Sequence, residues 1–157
     1  MKKHPFATFS TFFTICYLLS TTHSAKAQAT VTYYPFNSVF SVSSNAQRAV
    51  FVDCRIQMNS VLSSLNTEFA SMFRVSKQAN SFYYIGAGVN TSIVGELTGE
   101  EDLLKGYFLS AGLRVSPFEK FRNVAIAFET SPYANKNFKS GVFRAWLGVS
   151  YQFKKKK

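Results

Sequence analysis

Polar and apolar residues alternate along six runs of the chain from residue 50 onward, and turn-forming residues separate the runs. The last run is the clearest, because one of its faces consists of Phe143, Ala145, Leu147, Val149, Tyr151 and Phe153. A period of two is typical of β-strands whose two faces meet different surroundings. The sequence therefore predicts an all-β fold with strands over 50–59, 65–75, 82–90, 106–115, 124–131 and 143–153.

Residues 30–44 add one or two strands. Val31 and Tyr33 begin an extended segment, Pro35 and Asn37 indicate a turn, and Val39–Ser43 continues the alternation. Splitting the segment into a hairpin gives eight strands, and keeping it whole gives seven. An antiparallel barrel with both chain ends on one side needs an even number, so we predict eight. The first strand would then be short for a membrane span of about 9–11 residues.

The face opposite the apolar one is polar in the middle of the strands. It carries Asp53, Arg55, Glu68, Arg74, Arg114, Glu129 and Arg144, together with Gly86, Gly88, Gly112 and Gly148. Inside a narrow barrel such charges would pair with one another, and the glycines would leave room for arginine and tryptophan side chains. The apolar face carries no charged residue, as contact with lipid requires. A soluble β-sandwich, whose inner face is apolar, is the alternative.

The first residues have the layout of a secretory signal peptide. Lys2 and Lys3 form a positive start, residues 6–19 are mostly apolar, and residues 24–27 (Ser-Ala-Lys-Ala) offer small residues to an export peptidase. The apolar run is too short and too rich in Thr and Ser to span a bilayer, which takes about 20 residues. We therefore divide the chain into a cleaved signal peptide (1–27), a β-barrel domain (28–153) and a basic tail (154–157).

The end of the last strand resembles the C-terminal β-signal of outer-membrane proteins, with Leu147, Val149, Tyr151 and Phe153 in the matching positions. The four lysines that follow depart from that class, in which the aromatic residue usually comes last. Together with the signal peptide, the chain is similar to the small outer-membrane β-barrels of Gram-negative bacteria, many of them eight-stranded. This resemblance implies an antiparallel up-and-down transmembrane barrel, surrounded by outer-membrane lipid and inserted by the barrel-assembly machinery.

Charge and composition exclude several other classes. The net charge is +10, but the predicted signal peptide contributes three lysines and the tail four, which leaves +3 for residues 28–153. Nucleic acid is therefore not an expected partner. Both histidines, His4 and His23, leave with the signal peptide, and Cys54 remains as a single cysteine. The mature chain thus has no Ser-His or Cys-His pair for nucleophilic catalysis.

Two groups of acidic residues have alternative interpretations. Asp53, Glu68 and Glu129 would provide the acid pair of a barrel-embedded lipid-modifying enzyme, but ion pairs with the inward arginines are the favoured interpretation. The loop residues Glu96, Glu100, Glu101 and Asp102 would bind a divalent cation, but their spacing matches no known calcium loop, so a solvated loop is favoured. We expect no enzyme activity, no cofactor and no metal.

The predicted connections are of two kinds. Segments 44–48, 76–80 and 117–121 are short, whereas 92–104 and 132–140 are longer, and a transmembrane barrel has short periplasmic turns and longer outer loops. Recognition of a partner, such as another protein, is expected in the two longer loops. The sequence therefore predicts a small, porin-like but non-conducting barrel of the outer membrane, with a structural or loop-mediated binding role.

Removal of the signal peptide is directly testable. Intact-mass and N-terminal peptide mass spectrometry of the protein isolated from membranes should give a chain that begins at Gln28, because the export peptidase reads the small residues before it. A membrane-bound protein that still begins at Met1 would contradict the division of the chain.

Overall fold

Eight antiparallel strands close into a barrel, in which each strand pairs with its neighbours in sequence and β1 pairs with β8. The computed structural model describes residues 28–46, 48–58, 66–78, 80–99 and 102–153, so the predicted signal peptide and the lysine tail lie outside the described residues. The strands are β1 Thr30–Tyr34, β2 Val39–Ser43, β3 Val50–Gln57, β4 Thr67–Lys77, β5 Ser81–Thr91, β6 Leu104–Val115, β7 Val124–Asn135 and β8 Gly141–Gln152.

The prediction of eight strands is confirmed, and residues 30–44 form the hairpin β1–β2. A 3-10 turn at Pro35–Asn37 separates the two strands, with Ser38 in the left-handed region at φ 50°. Proline has no N–H to donate to a ladder, which suits it to the start of this turn. The closed barrel also shows that the sandwich alternative was wrong.

The two ends of the barrel differ. Connections 44–49, 78–80 and 116–123 lie at the end that also holds both ends of the described chain, which we call the terminal end. The described residues of the connections 35–38, 58–66, 92–103 and 136–140 lie at the other, the loop end. The connection 92–103 contains the helix α1, Ile93–Thr98, and 116–123 contains a 3-10 turn at Glu119–Phe121. Among the described helices, none has the length and apolar character that a membrane span needs.

The predicted loop 132–140 is shorter than expected, because β7 continues through Pro132 to Asn135. Pro132 pairs with Phe143 of β8. On the other side, pairing with β6 is interrupted between the pairs Ala111–Thr130 and Phe108–Tyr133. A strand tolerates proline where the ladder is broken, since the missing N–H then leaves no carbonyl unpaired. The connection at this point is therefore residues 136–140.

The strands are staggered around the wall. Following the paired residues from Thr30 of β1 strand by strand around the barrel leads to Val142 of β8. Thr30 itself, however, pairs directly with Gln152 of β8. The stagger of the barrel is the difference of ten residues between these two positions on β8. Such a stagger tilts the strands, typically by about 35–45°, and fixes the diameter of the barrel. An eight-stranded barrel has an interior just wide enough for side chains.

The wall is low at the hairpin β1–β2. These two strands have five residues each, whereas β6, β7 and β8 have twelve. Strand β1 consequently pairs only with the last part of β8, from Val149 to Gln152. The part of β8 nearer the loop end rises above β1 and adjoins the 3-10 turn at Pro35–Asn37.

Polarity is inverted relative to a water-soluble protein. Outward side chains such as Val52, Ile85 and Leu109 are 53–60% exposed. The buried set contains more polar and charged residues than apolar ones, and its largest fully buried side chain is Arg55. The alternation of the six predicted strands thus separates an apolar outer surface from a polar interior.

Candidate functional site: the interior charge chain

Arg55 lies at the centre of the interior and contacts three acids. Its Nε donates to Oδ2 of Asp53 at 2.7 Å, and its two Nη atoms lie 2.7 and 3.1 Å from the carboxylate oxygens of Glu129. Nη1 also lies 3.8 Å from Oε2 of Glu68. Arginine's planar fork matches a carboxylate at two points, and its permanent charge makes it suited to a buried ion pair.

Towards the terminal end, Asp53 connects Arg55 to Arg114 through serine hydroxyls. Ser41 and Ser43 on β2 donate to Oδ1 of Asp53 at 2.5 and 2.8 Å. Nη2 of Arg114 lies 3.2 Å from the Ser43 hydroxyl oxygen. These hydroxyls and Arg55 donate hydrogen bonds to both oxygens of Asp53, so the buried carboxylate has polar partners in place of water.

Towards the loop end, Glu68 connects the centre to Arg144. Nη1 of Arg144 lies 2.6 Å from Oε1 of Glu68, which also accepts a hydrogen bond from Nδ2 of Asn90 at 2.9 Å. Nη2 of Arg144 donates to the Ser131 hydroxyl at 3.1 Å. Arg144 is the most accessible of the three arginines in these contacts, with its side chain 21% exposed. We call the set Arg114, Asp53, Arg55, Glu129, Glu68 and Arg144 the interior charge chain.

Aromatic rings fill the space around the guanidinium groups. The Cζ atoms of Arg55 and Arg144 each lie 4.9 Å from the ring centroid of Trp146. Tyr84 donates its hydroxyl to Oε2 of Glu129 at 2.8 Å. A side chain at Gly112 would collide with the ring of Tyr84, so this glycine makes the hydrogen bond possible. Cation–π contact in a desolvated site contributes about 2 kcal/mol or more to each pair.

The structure brings together six of the seven charged residues that the sequence placed inside. The seventh, Arg74, is half-buried near the terminal end of β4, beside a bulge at Val75. Cys54 lies on the outer face and is half-buried. The four residues of the predicted assembly signal, Leu147, Val149, Tyr151 and Phe153, are exposed on the outer face or just after it.

The acidic residues of the loop 92–104 do not form one cluster in the described structure. Glu96 accepts a hydrogen bond from the backbone N–H of Leu103 at 2.9 Å, and Asp102 forms an ion pair with Lys136. Glu100 and Glu101 lie outside the described residues. Within the described residues, no group of three or more His, Cys, Asp or Glu side chains is placed to hold a metal ion.

Sequence reasoning missed the polar residues that complete the chain, namely Ser41, Ser43, Asn90 and Ser131. The signal for the first two was present, because the period of two places Ser41 and Ser43 on the same face as Val39. That face is buried in the structure. Asn90 and Ser131 follow the inward parity of their strands in the same way, but parity does not reveal which partner lies opposite.

Two cavities open at the loop end. One, of about 300 Å³, is lined by the inward Arg55, Glu68, Val142, Arg144 and Trp146 and also by the outward Phe143 and Ala145, so it reaches the wall where β8 rises above β1. The other, of about 640 Å³, is lined mostly by residues with polar side chains, including Asn90, Lys105, Tyr133, Asn135, Lys136 and Arg144. We call this second cavity the loop-end vestibule. Arg144, the member of the interior charge chain nearest the loop end, lies at the floor of the vestibule.

No protein-family model matches the chain, and no curated protein matches it either. Among solved structures, it is similar to the crystal structure of the N-terminal β-barrel domain of Pseudomonas aeruginosa OprF. That match has 16% sequence identity and a TM-score of 0.49, and it covers 81% of this chain and 95% of the other. A likeness at this identity concerns the fold alone and leaves the function to the residues of this chain.

The energetic weight of the charge chain is testable with Glu129→Gln, which keeps the shape of the side chain but removes the charge that faces Arg55. Removing one partner of a buried ion pair destabilises a protein by about 3–5 kcal/mol. We expect a loss of this size in the free energy of unfolding, measured by urea titration of the protein refolded in lipid vesicles.

Asp102→Asn provides the matched control, because it neutralises a carboxylate whose lysine partner is also exposed. An exposed ion pair contributes about 0–1 kcal/mol, so this variant should unfold close to the wild type. Equal losses in the two variants would show that the interior pair contributes no more than a surface one.

Proposed function

We propose that the protein is a non-conducting β-barrel of the bacterial outer membrane, with a structural role in the bilayer and a binding role at its loop end. The observation that carries the proposal is the combination of an exposed apolar outer face with a closed, charged interior. Exposed large apolar side chains occur on the outward positions of all eight strands. Lipid is the solvent in which such a surface is stable, because every backbone polar group within a closed barrel is paired inside the wall.

Aromatic pairs at both ends of the outer face support a membrane location. Near the loop end, Tyr107 stacks on Phe138 with ring centroids 5.5 Å apart. Near the terminal end, Tyr151 and Phe153 meet edge to face at 5.0 Å. Outer-membrane barrels carry such aromatic girdles at the two lipid–water interfaces. Export through a cleaved signal peptide and insertion by the barrel-assembly machinery, guided by the ending at Phe153, belong to the same proposal.

The interior supports a barrel that does not conduct. The charge chain crosses the lumen between opposite walls, since Arg55 on β3 contacts Glu129 on β7, and Glu68 on β4 contacts Arg144 on β8. Phe51, Tyr84, Phe108 and Trp146 fill most of the remaining space and are at most 3% exposed. An ion would have to break several short ion pairs to pass, whereas barrels of 16–18 strands leave an aqueous channel.

The binding role is assigned to the loop end because the two ends are built differently. The loop-end vestibule offers amide, phenol and ammonium groups from β3, β5, β6, β7, β8 and the adjoining connections. Lys136 and Asp102 join the connections 136–140 and 92–103 across the rim of this cavity. A cavity with several fixed polar groups is the usual form of a binding site. Its position opposite the chain ends agrees with the outward direction of long loops in outer-membrane barrels.

Conductance in a planar lipid bilayer tests the closed interior. The purified, refolded protein should give no steady single-channel current, because no water-filled path runs through the charge chain. The variant Arg55→Ala removes the central ion pairs with Asp53 and Glu129, so it should show a lower unfolding temperature and occasional channel openings. Reproducible channel steps from the unmodified protein would contradict a closed barrel.

Two leucine substitutions test whether the outer face meets lipid. Leu109→Arg places a cation in the middle of β6 on a side chain that is 60% exposed, where contact with the bilayer midplane costs about 2–4 kcal/mol. We expect a lower folded fraction in vesicles, measured by heat-modifiable mobility on gels. Leu97→Arg is the control, because Leu97 is 81% exposed but lies on α1 in a loop-end connection. Equal insertion of both variants would contradict lipid contact at Leu109.

A further inference from the structure

The backbone pairing of the wall has a gap beside β8, on the side of β1. Phe153 donates its backbone N–H to Ala29, the residue before β1. Since the backbone groups of an antiparallel strand point alternately to its two neighbours, the odd-numbered residues of β8 also face β1. The ladder between the two strands ends at the pair Tyr33–Val149. The backbone groups of residues 143, 145 and 147 therefore lie beyond the end of the ladder.

Pro35 explains why the ladder ends there. In the register of β1 and β8 it would stand opposite Leu147, and proline has no N–H to donate. Among the described residues, no backbone hydrogen bond joins the 3-10 turn at Pro35–Asn37 to β8. This open edge of β8 lies between the aromatic pairs near the two ends of the outer face. At that depth of a bilayer, an uncovered strand edge is costly unless a polar group satisfies it.

The loop-end cavity of about 300 Å³ passes around the open edge. Its lining includes Arg144 and Trp146, which face inward from β8, and Phe143 and Ala145, which face outward. Both faces of one strand border the same space only where the edge of that strand is open. The cavity therefore connects the polar interior to the outer surface of the wall.

The inner part of the cavity offers hydrogen bonds but no unbalanced charge. Arg144 uses three of its five N–H groups for Glu68 and Ser131, so two remain for a ligand. The half-buried amide side chains of Asn37 and Gln57 also line the space. The charged residues of the lining all belong to the interior charge chain, in which three arginines face three carboxylates. An ionised ligand would add a charge without a partner to this balanced set.

We propose that this opening is a binding site for a neutral single-chain amphiphile of the monoacylglycerol class, taken up from the surrounding lipid. Hydroxyl groups both donate and accept, so the head serves the N–H groups of Arg144 as well as the backbone groups of the β8 edge. The acyl chain leaves through the opening beside Ala145 and lies on the exposed ring of Phe143. Ligand pockets hold about 300–1,000 Å³, so this cavity suits one head and the first carbons of one chain. The inference rests on the membrane location proposed above.

Trp146 reports on this site, because it is the one tryptophan of the chain and lines the cavity. The protein, refolded in phosphatidylcholine vesicles, is titrated with a monoacylglycerol that carries bromine on the chain carbons near its head. Bromine quenches tryptophan fluorescence on contact, so we expect quenching that saturates. Ala145→Phe narrows the opening and should abolish the saturable phase. Ala87→Phe should retain it, because Ala87 is an exposed outward alanine on β5 with paired neighbours on both sides.

Asn37→Leu keeps the test decisive if Ala145→Phe does not fold. This substitution changes the 3-10 turn outside the strands and removes an amide from the lining of the cavity. The concentration of brominated monoacylglycerol that gives half of the quenching should rise. A titration curve identical to that of the wild type would place the head group elsewhere and reject the site.

Three further outcomes would overturn the proposal. Quenching that grows without saturation, and equally in Ala145→Phe and Ala87→Phe, would reflect general contact with lipid. Saturable quenching by a brominated fatty acid or a brominated phosphatidylglycerol, but not by the monoacylglycerol, would reject a neutral ligand. Insertion into the vesicles, measured by heat-modifiable mobility, separates the site from the proposed function. An inserted protein without saturable quenching overturns the site alone, whereas a protein that does not insert overturns both.

Discussion

Everything inside this barrel depends on one constraint, which is that charged side chains in a narrow, enclosed lumen need partners within the lumen. Arg55 meets the constraint through Asp53 and both oxygens of Glu129. In an eight-stranded barrel, β3 and β7 lie opposite each other, as do β4 and β8. The Arg55–Glu129 and Glu68–Arg144 pairs are therefore braces between opposite walls, and breaking either of them leaves a buried charge on each side.

The same braces define which register of the strands is allowed. A shift of one residue in β3, β4, β6, β7 or β8 would turn the inward set of that strand outward and would place a carboxylate or a guanidinium in the apolar outer surface. Asp53 and Arg55 on β3 make such a shift especially unfavourable, because both face inward within one short strand. The polar interior thus specifies the barrel geometry as strictly as an apolar core specifies a soluble fold.

The strands and the direction of their faces follow from the alternation, since a period of two is a local property of the chain. Residues 50–58 illustrate this, with Phe51, Asp53 and Arg55 buried and Val52 exposed. The length of β7 was not predictable in the same way, because Pro132 normally ends a strand and is accommodated here only by an interrupted ladder on one side. The partners of the interior ion pairs could not be predicted from the sequence either. Arg55 and Glu129 are 74 residues apart, and their contact depends on strand number and stagger together, neither of which is encoded in any single run.

The two ends of the lumen satisfy the charge constraint by different means. At the loop end, Arg144 has Glu68 and Ser131 as partners and is partly exposed, so water of the vestibule is also within its reach. At the terminal end, Arg114 is enclosed by three aromatic rings and shares only a serine hydroxyl with the nearest acid. Aromatic faces attract a cation but accept no hydrogen bond along the edge of the guanidinium. The charge of Arg114 is therefore offset at longer range by Asp53 and Glu129, because the interior charge chain as a whole holds three arginines and three carboxylates.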